Sequence, residues 1–192
     1  MSESKQQTPL QTQLERFVGK PVRSSGGRAV APDPVNQPMI RHWAAAFDDR
    51  NPVYIDAEAA AATRWGGIVA PPMMLQTWTM ATPQIAGIAE RGGSPVDSSA
   101  DENGPTALGA LDAAGFTATL ASNSEFEIER YLRLGETVTA TTVIESISTE
   151  KQTRIGVGHF LTWVTTYTAD EGDVVGRQRF RILKFKPAGA GA

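Results

Sequence analysis

The chain has 192 residues, 41% of them hydrophobic and 20% charged, with a formal net charge of −3 and no cysteine. That length and balance describe one soluble globular domain able to bury its own core, and they argue against a disordered chain. The mild acidity disfavours nucleic acid and anionic membrane as partners, and the missing thiols exclude disulfides, thiolate metal sites and cysteine nucleophiles.

The N-terminal stretch through Thr12 is polar and has no apolar signal core. No run reaches the roughly 20 apolar residues that a spanning helix needs, so a cytoplasmic location is expected. Residues 1–12 are expected as a mobile tail, 13–187 as one domain, and the Gly/Ala run 188–192 as a linker or frayed end. Leu14, Phe17 and Val18 suggest a short helix between Gln11 and Gly19, followed by an irregular loop from Gly26-Gly27.

Pro38 opens a helix in which Ile40, Trp43, Ala44 and Phe47 recur at helical spacing, and which should end near Asp49. Asp56 caps an alanine-rich helix from Ala57 to about Trp65, stopped by Gly66-Gly67. A third helix starts at Pro71-Pro72 and carries Met73, Met74, Leu75, Trp78 and Met80, so much of its circumference is apolar; Thr82-Pro83 interrupts it. Residues 91–107 are rich in Gly, Ser, Pro, Asp and Asn and read as a long loop.

Beyond the loop the pattern changes to period two. Phe126 and Ile128 alternate with Glu125, Glu127 and Glu129, and Thr137 to Ile147 is dense in Thr, Val and Ile. Lys151 is expected in the next turn, and Arg154–Thr168 with Val174–Lys186 form a hairpin across residues 170–173. Helices first and a strand meander afterwards give an α+β domain, with a curved antiparallel sheet around the helix from Pro72.

Two segments carry a family resemblance. Asp48-Asp49-Arg50-Asn51-Pro52-Val53-Tyr54 resembles the Gly-Asp-x-Asn-Pro-(Leu/Val)-His signature of MaoC-like (R)-specific enoyl-CoA hydratases and dehydratases. Trp65-Gly66-Gly67-Ile68-Val69-Ala70-Pro71-Pro72-Met73 is similar to the family's entry into its central helix. The resemblance covers roughly Phe17 to Lys186 and implies a single hot-dog fold, with a central helix that Pro83 shortens. It is nearest to the non-catalytic MaoC-like subunit of actinobacterial heteromeric hydratases acting on steroid side-chain CoA esters, whose MaoC-like part can precede an OB-fold domain.

Hydrating a 2-enoyl-CoA needs a base for water, a proton for C2 and donors aimed at the thioester oxygen. In the family an Asp and a His supply the first two. Asp49 holds the Asp position, but Tyr54 stands where the His belongs, and a phenol of ordinary pKa about 10 is a poor base at neutral pH. Asp49 reads as an acceptor for loop N–H groups ahead of a catalytic role, and Asp48, where the family has glycine, as a solvated or capping group.

His42, on the first long helix, and His159, in a strand, both read as structural. No spacing resembles a metal-ligand set, and no cofactor is implied beyond the CoA thioester substrate. Gly66 and Gly67 either stop a helix or let a thioester oxygen approach backbone N–H groups, with Ile68, Met73 and Trp78 as further substrate-binding candidates. Arg177, Arg179, Arg181 and Lys184 on the last strand either meet CoA phosphates or form a solvated strand face.

The resemblance therefore implies an accessory subunit. A MaoC-like catalytic partner, in a heterodimer or heterotetramer, supplies the Asp and His for a fatty or steroid side-chain acyl-CoA. The alternatives are a standalone acyl-CoA-binding module and a homodimeric hydratase using Asp49.

Overall fold

Proline and short polar side chains start the helices. In the computed structural model, which describes residues 8–22, 27–80, 82–83, 85–89, 105–170 and 172–187, Pro9, Pro38, Pro52 and Pro72 each stand in a first helical turn, where a missing N–H costs nothing. The resulting order is α1 (Pro9–Glu15), β1 (Arg28–Val30), α2 (Gln37–Ala46), α3 (Pro52–Ile55), α4 (Ala57–Ala61), a 3-10 turn (Pro72–Met74) running into α5 (Leu75–Trp78), and α6 (Ala107–Ala113). The strands β2 (Ala118–Ile128), β3 (Val138–Ile147), β4 (Lys151–Thr153), β5 (Gly156–Ala169) and β6 (Asp173–Pro187) follow. Asn36 caps α2 by accepting from Met39 N–H at 3.0 Å, and Asp56 caps α4 by accepting from Glu58 and Ala59 N–H, both at 3.0 Å.

The strands form one antiparallel sheet in the order β1-β3-β5-β6-β2, with β4 added to the start of β5. One face of this sheet holds two apolar clusters. The larger joins Met74, Leu75 and Trp78 of the central helix to Val138, Ala140, Tyr167 and Val175, and the other seats Leu14 of α1 and Leu111 of α6 on Ile144, Leu161 and Ile182.

Several local expectations change. The first helix begins at Pro9 rather than Gln11, because Thr8 accepts from Gln11 N–H at 3.2 Å and Leu14 is buried. The loop after Gly27 contains β1, an edge strand pairing Arg28 with Thr141, and Lys151 opens β4 instead of lying in a turn. The alanine-rich helix ends at Ala61, short of Trp65: the Thr63 hydroxyl donates to Ala60 C=O at 2.7 Å and accepts from Trp65 N–H, replacing the next helical turn.

The central helix is short. It stops at Trp78, before Thr82-Pro83, and only one side of it is buried: Met74, Leu75 and Trp78 are covered while Met73 and Met80 are 52% and 61% exposed. Most of the polar 91–107 segment, the 188–192 tail and residues 1–7 lie outside the described residues. Among the described residues no helix is long and apolar enough to cross a membrane.

Candidate functional site

The loop after α2 is built by a helix-stop motif. Asp48 lies in the left-handed region at φ 49°, its N–H donates to Ala45 C=O at 3.3 Å, and Asp49 N–H reaches back to Ala44 C=O at 2.8 Å. This pair of bonds is a Schellman closure, in which the left-handed position ordinarily falls to glycine. The Asp48 carboxylate turns out to solvent against Arg50 Nε at 2.9 Å, with both side chains at least 80% exposed. Asp48 is thus a backbone element of the turn with a solvated charge.

Asp49, half-buried, accepts from Asn51 N–H at 3.1 Å, and Asn51 in turn caps α3 by accepting from Val53 N–H at 3.3 Å. Tyr54 follows on α3 and is buried. Its phenol is pushed up from 10.0 to about 12, chiefly by burial, then by the Tyr131 side chain beside it and by the Asp49 charge, against a smaller contribution from Asn51. The fold therefore brings Asp49, Asn51, Tyr54 and Tyr131 together around a hydroxyl that stays protonated at neutral pH.

Tyr131 connects this loop to the glycine segment. Its ring stacks on Trp65 at 4.6 Å and 9°, and the Arg64 guanidinium lies 4.2 Å over the other aromatic partner's ring centre at Trp65. Val69 N–H donates to Val53 C=O at 3.2 Å and Ala70 N–H to Leu132 C=O at 2.9 Å, fixing the strand-like entry to the central helix. Gly67 and Ile68, one residue earlier, keep backbone N–H groups with no acceptor among the described residues. A Cβ at Gly66 or Gly67 would meet nothing within 4 Å, so open space lies in front of them, and Gly66 takes φ +70°.

Trp65 and Tyr131 were not singled out from the sequence. Tyr131 lies just past a strand and has no motif; the one available signal is that Trp65 directly precedes the glycine pair.

The remaining candidates separate. Ile68 and Trp78 are buried, Met73 is exposed, and the Trp78 indole N–H is buried without an acceptor among the described residues. His42 is exposed on α2, whereas His159 is buried with the second cluster, its Nδ1 2.9 Å from Ser148 C=O and its ring edge-on to Phe116 at 4.9 Å. Neither histidine joins the Asp49 loop. Among the described residues no three His, Asp or Glu side chains gather as a metal set.

The basic residues of β6 do not act as one group. Arg177 pairs with Glu129 and Arg179 with Glu145, each at 2.8 Å, and Arg181 donates to the Thr162 hydroxyl at 3.0 Å. Lys184 has the opposite strand parity from these arginines, and it is buried against Asp112 at 2.5 Å. The solvated-face reading holds for Arg177 and Arg179, and Lys184 leaves the set altogether.

Comparison with known proteins gives similarities of three kinds: to a family, to curated relatives and to a solved structure. Residues 27–178 match the family described as "FAS1-like, dehydratase domain region". The chain is 42% identical over 179 residues to a "Probable enoyl-CoA hydratase alpha subunit" of Thermomonospora curvata, covering 93% of this chain and 51% of the relative. It is 42% identical over 161 residues to the "3-oxo-4,17-pregnadiene-20-carboxyl-CoA hydratase alpha subunit" of Mycobacterium tuberculosis, covering 84% and 48%. The chain thus spans about half the length of the curated relatives it matches. A chain in the crystal structure of the ChsH1-ChsH2 complex from Mycobacterium tuberculosis superposes with a TM-score of 0.72 at 34% identity, over 95% of this chain and 94% of that one.

Proposed function

The chain belongs to the FAS1-like dehydratase-region family and has the hot-dog fold, and from that premise we propose that it is the accessory subunit of a heteromeric 2-enoyl-CoA hydratase. In this reading a MaoC-like partner supplies the catalytic Asp and His, and this chain helps to hold the acyl-CoA. One observation carries it: the position where the chemistry needs an imidazole holds Tyr54, a buried phenol with its pKa at about 12. Such a group can donate a hydrogen bond at neutral pH but cannot take a proton from water. Asp49, its neighbour, is already engaged as the acceptor of its own loop.

What the chain offers a thioester is position. The Gly67 and Ile68 N–H groups beside open space are donors of the kind that stabilise a developing enolate oxygen, and the central helix, ending at Trp78, leaves length for a bulky acyl group. A steroid side-chain ester fits this proposal, as does the substrate in the name of the mycobacterial relative.

The sheet supports this reading with an open edge. Strand β2 pairs only with β6, runs for 11 residues and is mostly exposed, so one long edge of backbone donors and acceptors is unmatched among the described strands. A second hot-dog sheet added there covers that edge.

Co-expression with MaoC-like candidates tests the proposal. The expected result is a stable heteromer that hydrates 2-enoyl-CoA, loses that activity when the partner's histidine is replaced, and keeps it in Asp49→Ala. Turnover by this chain alone that Asp49→Ala abolishes would replace this reading with a homodimeric hydratase.

A further inference from the structure

The two edges of the sheet are not alike. On one side the chain covers the outer edge of β3 itself: Gly19 N–H donates to Ile144 C=O at 2.8 Å, Val22 N–H to Thr142 C=O at 3.3 Å, and Pro21 bridges to Val143. The three residues of β1 pair with β3 on the same side. On the other side β2 runs for 11 residues with no strand outside it among the described residues. A long edge of this kind is a template for a further strand.

The outermost row of side chains sets what that strand must carry. Phe126 and Ile128 pack on the larger apolar cluster, so Glu125 and Glu127 alternate onto the opposite, outer face. Arg179 and Arg177 of β6 stand across from them, but both guanidinium groups are engaged elsewhere. Arg179 gives hydrogen bonds of 2.8 to 3.1 Å to Glu145 on β3, and Arg177 gives one of 2.8 Å to Glu129. The Arg177–Glu127 and Arg179–Glu125 separations are both 3.7 Å. The carboxylates of Glu125 and Glu127, 59% and 69% exposed, therefore line the open edge without a close hydrogen bond from a cation.

A second copy of β2 matches this row poorly. Added antiparallel, with outer face continuing outer face, it sets Glu125 against Glu127 when the two-fold axis lies at Phe126. With the axis at Glu125 or at Glu127, that glutamate meets its own counterpart. Nearer the start of the strand the bulge between Ala121 and Asn123 breaks the ladder. Like charges directly opposite destabilise a strand pair, and opposite charges stabilise it. We propose that Glu125 and Glu127 make β2 select a different chain, one whose edge strand carries Lys or Arg at alternate positions, and keep two copies of this chain from pairing. This rests on the accessory-subunit reading for the existence of a partner and adds which side chains choose it.

The chain can serve as its own probe, because Glu125→Lys combined with Glu127→Lys produces a copy with the complementary row. Sedimentation equilibrium at low salt compares the wild-type chain, that double variant and their equimolar mixture. The mixture is expected to dimerise about tenfold or more tightly than either protein alone, and to lose the advantage in about 1 M salt. Glu125→Gln combined with Glu127→Gln brings no new charge beside Arg177 and Arg179, and should strengthen self-association about two- to tenfold. Circular dichroism checks that both variants fold. The proposal is overturned if the mixture dimerises no more tightly than the separate chains, or if the wild-type chain forms a dimer that the glutamine variant leaves unchanged. Charge selection in a chain whose heteromers never hydrate an enoyl-CoA would remove the hydratase proposal and leave the edge assignment standing. A hydrating heteromer without charge selection would do the reverse.

Discussion

The backbone N–H of Asp49 donates to the Ala44 carbonyl at 2.8 Å across the left-handed residue Asp48. That bond closes the turn: Asp48 occupies a position set by backbone conformation, and its charge is solvated. Replacing Asp48 by glycine should therefore stabilise the chain by about 0.5–1 kcal/mol, since glycine takes positive φ without a Cβ penalty and the lost Arg50 pair is fully exposed. Chemical denaturation of Asp48→Gly measures this; a loss of stability would mean that the side chain, and not the turn, sets the loop.

Lys184 and Asp112 give a second prediction. The ammonium is buried, while its carboxylate partner on α6 is nearly half-exposed, and the Thr117 carbonyl at 3.4 Å is its other acceptor. Removing the carboxylate in Asp112→Ala strands the charge and should cost about 1–3 kcal/mol. The double variant Asp112→Ala with Lys184→Met should recover most of the loss, because no charge then remains to be compensated. Equal instability of the single and double variants in urea melts would refute the argument.

Alkaline pH should unfold the chain through its phenols. Tyr54 and Tyr167 are both raised from 10.0 to about 12, Tyr54 by burial and Tyr131, Tyr167 by burial. Between those values the folded state holds protons that the unfolded chain releases, so stability is intact below pH 10 and is lost as pH climbs toward 12. Ultraviolet titration should show a phenolate component near pH 12 that shrinks in Tyr54→Phe and again in Tyr167→Phe. Complete ionisation near pH 10 with the fold intact would contradict the burial of both rings.

The seat of the central helix depends on Gly176. A Cβ there would stand 2.7 Å from Glu127 C=O and 2.7 Å from Leu75 Cδ1. Gly176→Ala must shift either a strand or the helix, for about 1–3 kcal/mol. Gly67→Ala, facing open space, should change stability by less than about 0.5 kcal/mol. Comparable thermal shifts in the two variants would remove the steric explanation.

Much of the architecture follows from local chemistry, which is why it was legible in advance. Alternating Glu and apolar residues at 125–129, the β-branched run before Ile147, and proline in first turns each act through neighbours a few residues away. The replacement of His by Tyr54 was visible for the same reason, being a matter of residue type at a spacing. Elements that gain their partners at long range were not. Strand β1 exists only because Thr141 lies opposite Arg28, and α6 because Leu111 meets Leu14, Leu161 and Ile182.

The sequence by itself thus determined the α+β order, the family motif and the absence of an imidazole in it. Only the tertiary structure decided what the charged and polar groups do: Asp48 turns a helix end, Lys184 is buried with Asp112, and Tyr131 and Trp65 join the motif loop to the glycines. The physical reason is range. Propensity and periodicity are carried by residues near in sequence, whereas a hydrogen bond or ion pair is set by which groups the folded sheet brings within a few ångströms of one another, as Gln178 and Gln76 are.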